Sequence, residues 1–122
     1  MTLADLQQVE TALALALPRR YRELIQVYPL SSQDSNSCIA LLDDASAVVA
    51  FNRFLRESFA EEWHTHFFAF GNSACGDVYF FDLTEEADKV YLWDHETHEK
   101  TVESPDFDLW VAEQRRLEQR EG

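Results

Sequence analysis

Side chains able to hold a metal, move a proton or attack a carbonyl gather at three places in this chain. WHTHF sets His64 and His66 on the same side of an extended segment, and LWDHETHE adds His95 and His98 just beyond Asp94. Imidazoles so spaced are raw material for zinc. Yet no cysteine joins them and the spacings fit no closed zinc pattern, so histidines at strand ends read as solvated or hydrogen-bonded, and no metal is expected. The third place is FGNSACGDVYFFDL, residues 70 to 83, with Ser73 and Cys75 between Gly71 and Gly76. A nucleophile there lacks the G-x-S-x-G turn and the helix start that activate a serine. Carboxylate pairs for acid and base work can be drawn from Asp77, Asp82, Asp94 and Glu96, but with 23 acids in the chain such pairs arise by chance. No P-loop or dinucleotide fingerprint appears among the three glycines. The residues thus predict no catalytic group and no cofactor.

The elements that position these residues change period once. TLADLQQVETALALAL places Thr2 three residues before Asp5, a carboxylate form of the capping box, and puts Leu3, Leu6, Val9, Leu13 and Leu17 near one helical face up to Pro18. A second helix, with Tyr21, Leu24, Ile25 and Tyr28 on its apolar face, runs to Pro29 and completes a helical hairpin. SSQDSNS reads as a loop and CIALL as a short β-compatible run. Asp43 or Asp44 then caps a third helix, with Val48, Phe51, Asn52, Leu55 and Phe59 in its stripe. From Trp63 the period drops to two: THFFAF, DVYFFDL, KVYLWDH and EKTVES predict an antiparallel meander of strands. Ser104 and Pro105 announce a last helix, carrying Phe107, Trp110, Val111, Gln114 and Leu117. The expected fold is α+β, one domain over residues 1–122, a mainly antiparallel sheet with helices packed on one face.

Charge narrows the function. The chain of 122 residues carries a net charge of -13. Its two ends are balanced, whereas residues 82–108 hold ten acids against Lys89 and Lys100, and the rest of the excess falls in residues 31–81, seven acids against Arg53 and Arg56. Such a surface repels phosphate backbones and anionic lipid, which argues against direct nucleic-acid or membrane binding. It steers a basic protein inward, or it serves only solubility. The N-terminus has no basic leading segment, so a cytosolic location follows, with Cys38 and Cys75 reduced and unpaired.

LPRRYREL, CGDVYFFDL and VYLWDHE, in that order and followed by a final Phe-rich helix, resemble the SUKH superfamily, the Smi-Knr type, from about Leu3 to Trp110. One departure is Tyr28, Pro29 and Leu30, where that family commonly has an Asn-Gly-type turn. The resemblance implies a single-domain α+β binding module, in a family with no catalytic residues established for it as a whole. Many bacterial relatives look like immunity proteins that neutralise a toxin, often a nuclease; fungal relatives are regulators of cell-wall assembly. Gly76, Asp77, Trp93, Asp94 and His95 match the family pattern, with turn geometry and sheet support as their implied roles. An immunity protein contacting a basic toxin domain is the expectation, with Glu85, Glu86, Asp88, Asp94, Glu96 and Glu99 as candidate contacts. A regulatory or scaffold protein of the same fold is the alternative, and a small hydrolase or metalloprotein a more distant one.

Overall fold

A reciprocal exchange sets the first turn: the Thr2 hydroxyl accepts the Asp5 N–H at 3.1 Å while the Asp5 carboxylate accepts the Thr2 N–H at 2.9 Å. In the computed structural model, which describes residues 1–27, 41–42, 44–73, 76–85 and 88–121, this cap opens α1, Leu3–Leu13. Tyr28, Pro29, Leu30, Asp43, Glu86 and both cysteines lie outside the described residues, as does most of the CIALL run. The helix stops short of Pro18. Ala14 turns left-handed at φ 56° and sends its N–H to the Glu10 carbonyl. The Glu10 carboxylate then takes the Leu17 N–H at 2.9 Å, so Leu17 is buried without being helical. Arg56 fixes the same corner by donating to the carbonyls of Leu13 and Thr65, each at 3.0 Å.

After Pro18 comes α2, Arg19–Val27, burying Tyr21 and Ile25. α3, Ala45–Ser58, is capped by Asp44, whose carboxylate accepts the Ala47 N–H at 2.9 Å. Four strands follow: β1, Phe67–Asn72; β2, Val78–Asp82; β3, Val90–Trp93; and β4, Lys100–Ser104. They form one antiparallel sheet in the order β1-β2-β3-β4, as the meander predicts. α4, Phe107–Glu121, closes the chain. Its cap is Asp106, which accepts the Leu109 N–H at 2.8 Å. The expected Ser104–Pro105 cap is displaced because Ser104 still pairs with Val90 as the last residue of β4.

Period-two alternation splits the core between the two faces of the sheet. On the first face, Phe68, Phe70, Phe81 and Val90 meet the apolar residues of α1, α2 and α4. Tyr21 sits at the centre, with ring centroids 5.3 Å from Phe68 and 5.8 Å from both Phe81 and Phe107. Each such side chain fully buried contributes about 1.5–3 kcal/mol. On the second face, Phe67, Ala69, Val78, Phe80, Tyr91 and Trp93 are covered by Trp63, Leu55, Phe51 and Phe59. α3 therefore runs past the β1 edge, its early turns reaching the first cluster and its last turns the second.

Asn52 joins α3 to that edge. Its side-chain oxygen accepts the Ala69 N–H at 2.8 Å, and its amide donates to the carbonyls of Ala69 and Val48, both at 2.9 Å. Asn52 and Ala69 are both fully buried, so this amide supplies the partners that a neighbouring strand would have given.

Candidate protein-binding surface

In a meander, alternate turns lie at the same end of the sheet, so the β1–β2 and β3–β4 connections come together. Gly76 makes the first possible: it holds φ 95°, and its N–H bonds to the Ser73 carbonyl at 3.0 Å. The Ser73 Oγ accepts the Asp77 N–H at 3.2 Å, a second bond within the same turn. The His95 ring lies over Gly76, 3.7 Å from where a Cβ would stand. Asp77 Oδ1 accepts the His95 backbone N–H at 3.2 Å and lies 2.7 Å from its Nδ1. That bond, ahead of any other influence, holds the His95 imidazole above its ordinary pKa.

The β3–β4 turn is built on Asp94, whose Oδ1 accepts N–H groups from Glu96 at 2.7 Å and Thr97 at 3.0 Å. Those bonds hold the Asp94 carboxyl below the usual carboxylate range. The Asp94 carbonyl also takes the His98 N–H at 2.8 Å, with His98 itself left-handed at φ 61°. Gly76, Asp77, Asp94 and His95, far apart in sequence, thus make one cluster. Trp93 is on the opposite side of its strand, buried on the second face with its ring 5.5 Å from Trp63.

The acidic candidates divide. Asp94, Glu96 and Glu99 belong to the β3–β4 turn, whereas Glu85 and Asp88 belong to the β2–β3 connection at the other end of the sheet; Glu86 lies outside the described residues. Glu85 is engaged internally: it accepts from the Tyr91 hydroxyl at 2.5 Å and stands 3.9 Å from the Lys89 ammonium. Burial together with Glu85 pushes the Tyr91 phenol up to about 12. Asp88 adds a weak attraction to Arg20, whose charge is held mainly by Asp108. Glu96 and Glu99 are exposed; Glu96 has only the His95 ring nearby, at 3.7 Å, and no cation stands against Glu99 among the described residues.

Three of the four histidines line a cleft of about 370 Å³ over the second face, walled by Glu62, His64, His66, Phe67, Asp82, Thr84, Trp93, His98 and Lys100. His64 and His66 stand in the turn before β1, not within the strand. His98 stacks on Trp93, with centroids 4.8 Å apart, and its Nδ1 lies 2.5 Å from a Glu62 carboxylate oxygen. Lys100 Nζ rests over Tyr91 and Phe67, 4.2 and 5.0 Å from the ring centres, with Asp82 at 3.0 Å. Burial resists ionisation of Asp82, but bonds from Thr84 and Lys100 outweigh it and keep the carboxyl below its ordinary range. Among the described residues, the only three ligand-type groups with atoms mutually within 4.8 Å are Asp77, Asp94 and His95. Asp77 and Asp94 are already bonded to turn N–H groups, and the histidine trio of the cleft does not converge.

Two features of the fold have little sequence signal. Lys100 reads as an ordinary edge-strand lysine, and only the fold shows its charge turned inward onto Asp82. Asn52 sits in an apolar helical stripe, a buried polar residue whose presence there is the one hint that it serves a backbone.

Neither curated proteins nor solved structures provide a match. The model of the SMI1 / KNR4 family (SUKH-1) matches residues 1–113, most of the chain and all of the sheet. With its Gly-Asp and Asp-His turns joined at one end of a four-stranded meander, the chain belongs to the SMI1 / KNR4 family, SUKH-1.

Proposed function

We propose that the chain is a non-enzymatic protein-binding module, an immunity protein that captures and neutralises a basic toxin domain of the nuclease type through its acidic surface. The observation that carries this reading is the acidic excess of residues 82–108, ten acids against two lysines. One of those lysines, Lys100, is turned onto Asp82, leaving Glu96 and Glu99 facing outward. Nucleases need basic surfaces to hold phosphates, and an acidic protein that covers such a surface blocks the substrate while gaining a fast association rate. Gly76, Asp77, Asp94 and His95 fix the turn that presents Glu96 and Glu99, and Trp93 anchors the strand behind it. Glu85 and Asp88 are the contacts proposed for the opposite end of the sheet, and Glu86 is a further proposed contact. No helix among the described residues is long and apolar enough to cross a membrane.

Co-expression with each product of the adjacent genes is the test. A basic partner should co-purify, protect its host, and associate about tenfold more slowly when Glu96 and Glu99 are changed to lysine. An association rate indifferent to salt refutes the acidic surface as the interface. A partner that is not a toxin, with no sensitisation of cells lacking the gene, replaces immunity with the regulatory role.

A further inference from the structure

The two edges of the sheet are finished differently. Along β1 much of the outward backbone is covered: Phe67 donates to the His64 carbonyl, Asn52 serves both groups of Ala69, and Leu42 donates to the Phe70 carbonyl in the bridge that sets Leu41 beside Gly71. β4 has no such cover. Asp94 donates to the Glu99 carbonyl at 3.0 Å, which fixes the hydrogen-bonded pairs of this ladder. By antiparallel alternation the next such pair is Leu92 with Thr101, and the backbone groups of Lys100 and Val102 point away from β3. Among the described residues nothing bonds to those groups.

The surroundings of this edge suit an added strand. Val102 offers an apolar side chain, 58% exposed, on the second face. On the first face a groove of about 400 Å³ opens between β4 and α4, lined by Glu103, Leu109, Trp110 and Gln114 among others. Leu109 is 53% exposed beside it. The charge at the edge is negative, because Lys100 is neutralised by Asp82 while Glu99 and Glu103 have no cation against them among the described residues.

We propose that β4 is a docking edge to which an extended basic segment of a partner protein adds as a fifth strand. Its backbone pairs with Lys100 and Val102, alternate side chains lie against Val102 and in the Leu109–Trp110 groove, and its lysines or arginines meet Glu99 and Glu103. A second copy of this chain is disfavoured as the occupant, because it would bring Glu99 and Glu103 of two molecules, each at -13, against each other. The inference rests on the reading that the partner is a basic protein, and adds how it binds.

The test uses the isotope-labelled full chain and two blocked hexapeptides of alternating lysine and valine, identical except that one is N-methylated on alternate residues. The unmethylated peptide should slow amide exchange at Lys100 and Val102 by about tenfold or more, and the methylated one should not. Val102→Pro should abolish the effect; Leu109→Glu, far less disturbing to the strand, should weaken it several-fold. If both peptides bind alike, strand addition is overturned while attraction of a basic partner stands. No protection at either amide at about millimolar peptide also overturns the inference, with the co-purification assay deciding the broader reading separately. Protection of the same amides by dimerisation without peptide gives the edge to a second copy and overturns the proposed occupant.

Discussion

Replacing Asn52 by leucine keeps the approximate size of the side chain but removes the amide that closes the β1 edge. Ala69 then has a buried N–H and a buried carbonyl without partners, where now they are bonded at 2.8 and 2.9 Å. Each orphaned group costs about 1–3 kcal/mol, against which the more apolar side chain returns part of the loss. The net expectation is a loss of about 3 kcal/mol. In urea, with a slope of about 1.5 kcal/mol per molar, the midpoint should fall by about 2 M with the slope unchanged. Exchange of the Ala69 amide should accelerate by far more than that of amides in β3. A loss below about 1 kcal/mol would refute the reasoning, since it would mean that water or another donor already serves the edge. Asn52→Asp gives a signed control. A carboxylate there faces the carbonyl oxygens of Ala69 and Val48 in a fully buried site, so its folded-state pKa is raised. The variant should therefore gain stability as pH is lowered from neutral, because the folded state binds the proton more tightly than the unfolded chain.

Other expectations follow from single groups. The Tyr21 hydroxyl is buried with no hydrogen-bond partner among the described residues, so Tyr21→Phe should raise stability by about 1 kcal/mol in thermal unfolding; a loss of that size would reveal a hidden partner. Gly76→Ala should cost about 1–2 kcal/mol, because a Cβ at 3.7 Å from His95 is ordinary contact and the strain lies in φ 95°; a neutral result would mean that the turn has relaxed to another conformation. The imidazole of His95 titrates above its unfolded value of 6.5, so the stability it contributes is fully present below that pH and is lost as pH rises through the folded value. Asp77→Asn should move the His95 titration, followed by NMR, back down; an unmoved titration would show that Asp77 is not its cause.

Much of the fold is legible because local rules and burial agree. Thr2 and Asp5 mark the first cap, and the alternation from Phe67 through Trp93 fixes which residues share a face. The misplacements occur where a long-range partner outbids a local signal. α1 ends at Leu13 although Leu17 continues its pattern, because the Glu10 carboxylate reaches the Leu17 backbone and Arg56 reaches the Leu13 carbonyl. The Ser104 cap yields to Asp106 because Ser104 pairs with Val90. At the surface, sequence motifs identify Gly76, Asp77, Asp94 and His95, but only the alternation of turns brings them together, and the same alternation separates Glu85 and Asp88 from Glu96 and Glu99. Residue type cannot show that Glu85 is committed to Tyr91, since an engaged and a free glutamate read alike.

The division of the core between two faces also sorts the tryptophans. Trp110 belongs to the cluster under α1, α2 and α4, while Trp63 and Trp93 share the other, their rings 5.5 Å apart and inclined at 70°. Two indoles that close couple their electronic transitions and give circular dichroism that a lone indole lacks. The protein thus carries a separate optical reporter on each side of its sheet. In a Trp110→Phe variant all remaining tryptophan emission comes from the second face, so a molecule docking there would be seen directly, without a label.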